Sequence, residues 1–165
     1  MKLTSKLMVL GVAFSLWMTT GVYAKSLKAV TSLKEGAPIP KAEFVTLDNK
    51  PFLLKPNKQL TLVSVFTTWC KLCKIELKDL SKQYEVIQEK KLPIRILAVN
   101  AGEPLKKVKR HIKRKKITVP VVVDSELVFV KKINAIGTPT VLIFNQKNQL
   151  VFQGNHVPKN WMSLN

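Results

Sequence analysis

Cysteine is scarce in this chain: two in 165 residues, Cys70 and Cys73, three positions apart. A fold stapled by several disulfides is therefore excluded, and with 46% apolar residues a core can form without relying on one bond. Histidine is equally scarce, and His111 and His156 lie far from the cysteines in sequence. Structural zinc usually takes four Cys or His ligands, so the pair is at most half of such a site. A purely structural disulfide would close a very short loop and contribute little through chain entropy. Acids are few as well, 10 against 28 Lys and Arg, giving a net charge of +18. That balance favours acidic partners, anionic surfaces or nucleic acid, and says nothing about fold. There is no internal repeat and no low-complexity tract.

Long apolar runs are also missing. The N-terminal one, residues 7–18, is about a dozen residues, short for a membrane span. It follows Lys2 and Lys6 and precedes Val22-Tyr23-Ala24. Small residues at −3 and −1 fit signal-peptidase cleavage after Ala24; an uncleaved anchor is the alternative. No cysteine near that point allows a lipoprotein. Residues 1–24 hold two lysines and no acid, so their removal lowers +18 to +16. We expect a signal peptide over 1–24 and one domain over 25–165, with its core at about 36–157. Export places the single cysteine pair in an oxidising compartment, periplasmic, or outside the cytoplasm on a membrane anchor. There it must be actively kept reduced or act as an oxidant.

What the chain does have is organised around Trp69-Cys70-Lys71-Leu72-Cys73. The stretch 60–67 is apolar and β-branched. From Leu72 onward, Ile75, Leu80, Tyr84 and Ile87 recur near helical spacing, with Lys, Glu and Asp between. A strand turning into a helix at C-x-x-C is the thioredoxin-type redox arrangement. The first sulfur would sit at the helix N-terminus, where free N–H groups and the dipole favour a thiolate. The second, one turn on, can resolve a mixed disulfide.

The remaining pattern predicts strands at 43–47, 51–54, 60–66, 94–99, 119–123, 140–144 and 149–153. Helices are expected at about 70–89, 103–115 and 125–133. Pro104 suits the first turn of the second, and Ser125 or Asp124 caps the third. Residues 25–40 form a polar, irregular lead-in. The fold class is α/β, helices flanking a central sheet.

Several further segments carry a resemblance. They are Gly36-Ala37-Pro38-Ile39-Pro40, Thr68-Trp69-Cys70-Lys71-Leu72-Cys73, Glu76, Ala98-Val99-Asn100, Val119-Pro120-Val121-Val122-Val123-Asp124 and Gly137-Thr138-Pro139-Thr140. In this order they resemble the exported thioredoxin-like proteins of the TlpA/ResA group, which includes reductases of cytochrome c maturation. The resemblance implies a thioredoxin-like fold: a central mixed sheet flanked by helices, with an N-terminal β-hairpin and a truncated C-terminal helix. It implies a cis Pro139 beside the cysteines, with the Thr138 backbone placed to pair with a substrate strand. Glu76 would tune the thiols and relay protons, and Trp69 would shield the sulfurs and present an apolar surface. No cofactor beyond the Cys70–Cys73 disulfide and no metal are implied. Protein thiols and disulfides, apocytochrome c among them, would be substrates, and a membrane-bound thiol the electron donor.

Two departures affect the expectation. Lys71-Leu72 stands where many relatives have Pro or Glu-Pro, and Lys71 favours a thiolate and a more oxidising pair. The family's C-terminal helix is reduced to residues 158–165, which leaves one sheet face less covered or covered by a partner. The run from Lys106 to Lys116 has a stripe of Leu105, Val108, Ile112 and Ile117. It is a solvated basic face, or a contact for an anionic membrane or an acidic partner; export argues against nucleic acid. His111 is expected to be exposed, and His156 has no assigned role. The rival functions are a disulfide oxidase or isomerase, which Lys71 favours, and a Cu(I)-binding thiol chaperone. A peroxidase fits less well, because its reactive cysteine more often lies in T-x-x-C without a C-x-x-C.

Overall fold

The computed structural model describes residues 30–164. The expected signal segment, 1–24, lies outside the described residues. Seven strands form one mixed sheet: β1 (Ala42–Thr46), β2 (Pro51–Leu54), β3 (Leu60–Phe66), β4 (Ile94–Ala101), β5 (Val121–Asp124), β6 (Thr140–Phe144) and β7 (Leu150–Gly154). Their order across the sheet is β2-β1-β5-β4-β3-β6-β7. The β3–β4 and β4–β5 pairs are parallel, and the outer pairs are antiparallel. The helices are α1 (Lys71–Glu89), α2 (Leu105–Lys115) and α3 (Val128–Ile133), with a final 3₁₀ turn at Trp161–Ser163.

β4 is the middle strand, and β3 beside it is buried throughout. Its alternation assigns side chains to two cores. Leu60, Leu62 and Phe66 pack with Leu77, Leu80 and Ile87 of α1 and Val108 and Ile112 of α2. Val63 and Val65 face the other way, toward Phe44, Phe129, Ile133 and Phe144. Ser64 has the parity of Leu62 and Phe66, so its hydroxyl points toward α1. Of the two polar positions in β3, Thr61 and Ser64, it is Ser64 that matters for the site below.

The short C-terminus still covers part of the α1-side core. Trp161 is 1% exposed and packs into the α1-side core, its indole Nε1 donating to Gln83 Oε1 at 2.6 Å. The lead-in is tied down too. Gly36 N and Ile39 N donate to Leu150 O and Asn148 O, and Leu150 N donates to Ala37 O, which closes the β7 edge.

Helix starts shift from the expected positions. α2 begins at Leu105, with Pro104 as its N-cap rather than inside its first turn. α3 begins at Val128, after a turn through Ser125 and Glu126. Its first amides are still met by Asp124, whose carboxylate accepts from Val128 N at 2.8 Å and Val130 N at 3.0 Å. His111 is corrected from exposed to buried, at 5% exposure, because its position on α2 falls beside the inward Val108 and Ile112.

Candidate active site

The parallel β3–β4 pair places Phe66 opposite Asn100, so both strands release their chains at the same end of the sheet. There β3 runs through Thr67, Thr68 and Trp69 into α1. Cys70 is the N-cap of α1, in extended backbone conformation, and its Sγ accepts the Cys73 N–H at 3.1 Å. The two cysteines form a disulfide with Cα atoms 5.3 Å apart. Cys70 is 7% exposed and Cys73 only 1%, so solvent and partners reach Cys70 first. On reduction, a charge on Cys70 would meet the helix N-terminal amides.

A second loop closes over the first. The Thr138–Pro139 peptide bond is cis, and the Thr138 carbonyl oxygen lies 3.8 Å from Cys70 Sγ. Thr67 and Thr138 hydroxyls approach to 3.4 Å, tying the loops together. Trp69 projects outward, 68% exposed, and Lys71 is exposed at the first position of α1.

Glu76 lies one turn past Cys73 on the sheet-facing side of α1, partly buried. It accepts the Ser64 hydroxyl at 2.7 Å. Burial pushes its carboxyl above the ordinary range, and hydrogen bonds from Ser64 and the Val157 amide oppose that only partly. It has no lysine ion pair among the described residues. With Leu72, Ile75, Pro139 and Val157 it lines a cleft of about 360 Å³. The structure thus brings Cys70, Cys73, Glu76, Thr138 and Pro139 together, with Trp69 and Lys71 at the exposed rim.

Sequence reasoning missed Glu103. Its carboxylate accepts from Thr68 N at 2.6 Å, Thr68 Oγ1 at 2.7 Å and Asn100 Nδ2 at 2.7 Å, and pairs with Lys107 Nζ at 2.8 Å. Burial alone would raise its pKa. The donors of Asn100, Lys107 and Thr68 outweigh burial and hold it down at about 2. Thr68 is two residues before Cys70, so Glu103 fixes the loop that delivers the first sulfur. The available signal was an acid just beyond the end of the strand paired with β3, which a helix assignment absorbed.

Residues 34–163 match the family model described as Redoxin. The chain belongs to the Redoxin family. Among relatives of this Redoxin chain is the sporulation thiol-disulfide oxidoreductase A of Bacillus subtilis. It is 31% identical over 97 residues, which is 58% of this chain and 59% of that protein. The thiol-disulfide oxidoreductase ResA of Geobacillus thermodenitrificans is 26% identical over 133 residues, covering 78% and 74% of the two chains. The crystal structure of StoA from Bacillus subtilis superposes with a TM-score of 0.61 at 24% identity, over 73% of this chain and 90% of that one. The fold is thioredoxin-like, and the Cys70–Cys73 pair is a thiol–disulfide centre of the ResA/StoA type.

Proposed function

We propose that this chain is an exported thiol–disulfide reductase acting on disulfides of exported proteins, apocytochrome c among them. The observation that carries the redox reading is the Cys70–Cys73 disulfide at the α1 N-terminus against cis-Pro139. Export is supported by the basic start, the short apolar run and Ala24. In the reduced enzyme the Cys70 thiolate attacks a substrate disulfide. A Cys70–substrate S–S bond forms, and the other substrate sulfur leaves as a thiolate. Cys73 then loses its proton to Glu76 and attacks Cys70 Sγ. The enzyme disulfide re-forms, and the second substrate sulfur departs. Two electrons have passed to the substrate, so a membrane-bound thiol donor must return two to Cys70–Cys73.

Thr138 pairs with the substrate backbone, Pro139 keeps that edge free of a competing N–H, and Trp69 supplies an apolar contact. The basic run from Lys106 to Lys116 is a solvated face or a contact for an anionic membrane or an acidic partner. The deciding experiment is the reduction potential of Cys70–Cys73, equilibrated against graded thiol–disulfide buffers. We expect a value near or below about −230 mV, the range of thioredoxin and glutaredoxins. A value near about −120 mV would make the chain an oxidant and overturn the reductase reading.

A further inference from the structure

Helix α2 carries its positive charge unevenly. Lys109 pairs with Asp48 at 3.3 Å, and Lys107 with Glu103 at 2.8 Å. Arg110 and Arg114, one turn apart, have no carboxylate within ion-pair distance among the described residues. Together with Thr68, Trp69, Lys107 and His111 they line a cleft of about 360 Å³. It opens beside the loop that carries Cys70, and the exposed Trp69 forms one of its walls.

Two features favour an anion in this cleft. The one acid adjoining it, Glu103, already engages Thr68 twice, Asn100 and Lys107, so it leaves the arginines uncompensated. His111 is 95% buried, lines the cleft, and takes part in no hydrogen bond among the described residues. Burial, then Arg114, Lys74 and Lys115, lower its pKa against the opposing pull of Glu103, which keeps the ring neutral. A neutral ring can give an N–H to a carboxylate without adding a charge that must be desolvated. Paired guanidiniums suit a planar carboxylate. A concave site next to the reactive sulfur is reached by the molecule undergoing exchange, whereas a flat lipid surface would meet the outer lysines.

We propose that this cleft binds an acidic side chain of the substrate polypeptide close to its cysteine, so that the chain prefers disulfides with acidic neighbours. The inference rests on the redox function above and names its substrate class. The test uses the full chain, reduced and then freed of reductant, with two disulfide peptides differing only in Asp-Asp or Asn-Asn beside the cysteine. Second-order exchange rates are followed by stopped flow. The acidic peptide should react about tenfold faster at low salt, with the advantage fading as NaCl screens it. Arg110→Ala/Arg114→Ala should bring the acidic peptide down to the neutral rate and leave the neutral rate and the reduction potential unchanged. Lys106→Ala/Lys113→Ala, the same charge loss elsewhere on the helix, should keep the preference. Equal wild-type rates, or an equal loss in the lysine pair, would overturn the proposal. So would arginine-dependent binding to phosphatidylglycerol vesicles without any peptide preference. If neither peptide exchanged, the redox function itself would fall and the docking proposal with it.

Discussion

Glu76 and Glu103 are two acids at one end of the sheet, pulled in opposite directions. Glu76 is partly buried with one side-chain donor, Ser64, so its folded pKa lies above its unfolded value. The folded state then binds its proton more tightly, and stability falls as pH rises from about 4.3 through the raised value. Glu76→Gln removes the cost of holding a charge there while keeping an acceptor for Ser64. We expect the variant to be the more stable protein at pH 7, with the gap closing below about pH 4, in urea titrations of the oxidised form. Its exchange rate should also lose one ionisation from the pH profile; a profile identical to wild type would remove Glu76 from the proton path. Glu103 has the reverse sign. Its folded pKa of about 2 lies below the usual value, so its contribution is complete above about pH 4.5 and is lost as pH falls toward 2. Glu103→Gln should therefore cost on the order of 3 kcal/mol at pH 7, less Lys107's share, which its half-exposed ammonium reduces. The same titration should show about half of that difference gone at pH 3 and nearly all of it gone at pH 2. A constant difference across pH would mean that packing, and not charge, holds Thr68.

At the scale of elements, the short C-terminal turn makes a sharp prediction. Trp161 is among the largest fully buried side chains, and its indole N–H is spent on Gln83. Trp161→Ala should destabilise by about 3–5 kcal/mol, through lost burial, the cavity left and an unpaired Gln83. A denaturant midpoint within about 1 kcal/mol of wild type would show that the tail is dispensable to the core. β2, β3 and β6 have the bounds their sequence patterns predict, because each is a β-rich run closed by clear turn signals. α1 was equally legible, since the cysteine that begins its chemistry also caps it. The starts of α2 and α3 were not. Asp124 caps α3 as expected but from four residues before its first residue, and Glu103 looks like a residue that opens a helix while its carboxylate acts through space on Thr68. Cys70, Cys73, Glu76 and Pro139 were legible because local motifs mark them. Glu103, His111 and Trp161 depend on which strands and helices lie side by side, and spacing along the chain does not encode that.

The whole molecule carries far more positive than negative charge, 28 basic residues against 10 acids. Three ion pairs join Lys and acid side chains among the described residues: Lys82–Asp79, Lys107–Glu103 and Lys109–Asp48. Two of them are exposed, and such pairs contribute about 0–1 kcal/mol each. The third has its carboxylate buried and is screened little by salt. Against these weak attractions stands repulsion among many lysines and arginines, concentrated on α2, where the run from Lys106 to Lys116 leaves Val108, His111 and Ile112 as its buried members. Self-repulsion at a net charge of +18 destabilises the compact state, and it is the part of the balance that salt removes most readily. Added NaCl should therefore raise the melting temperature of the oxidised protein, with most of the rise below about 0.3 M, where the Debye length shrinks from tens of ångströms to a few. Arg110→Ala/Arg114→Ala should raise it in low salt and flatten the dependence. A melting temperature that fell with salt would mean that attractive pairs dominate, and α2's charges would then be held by partners within the chain rather than left free for a substrate.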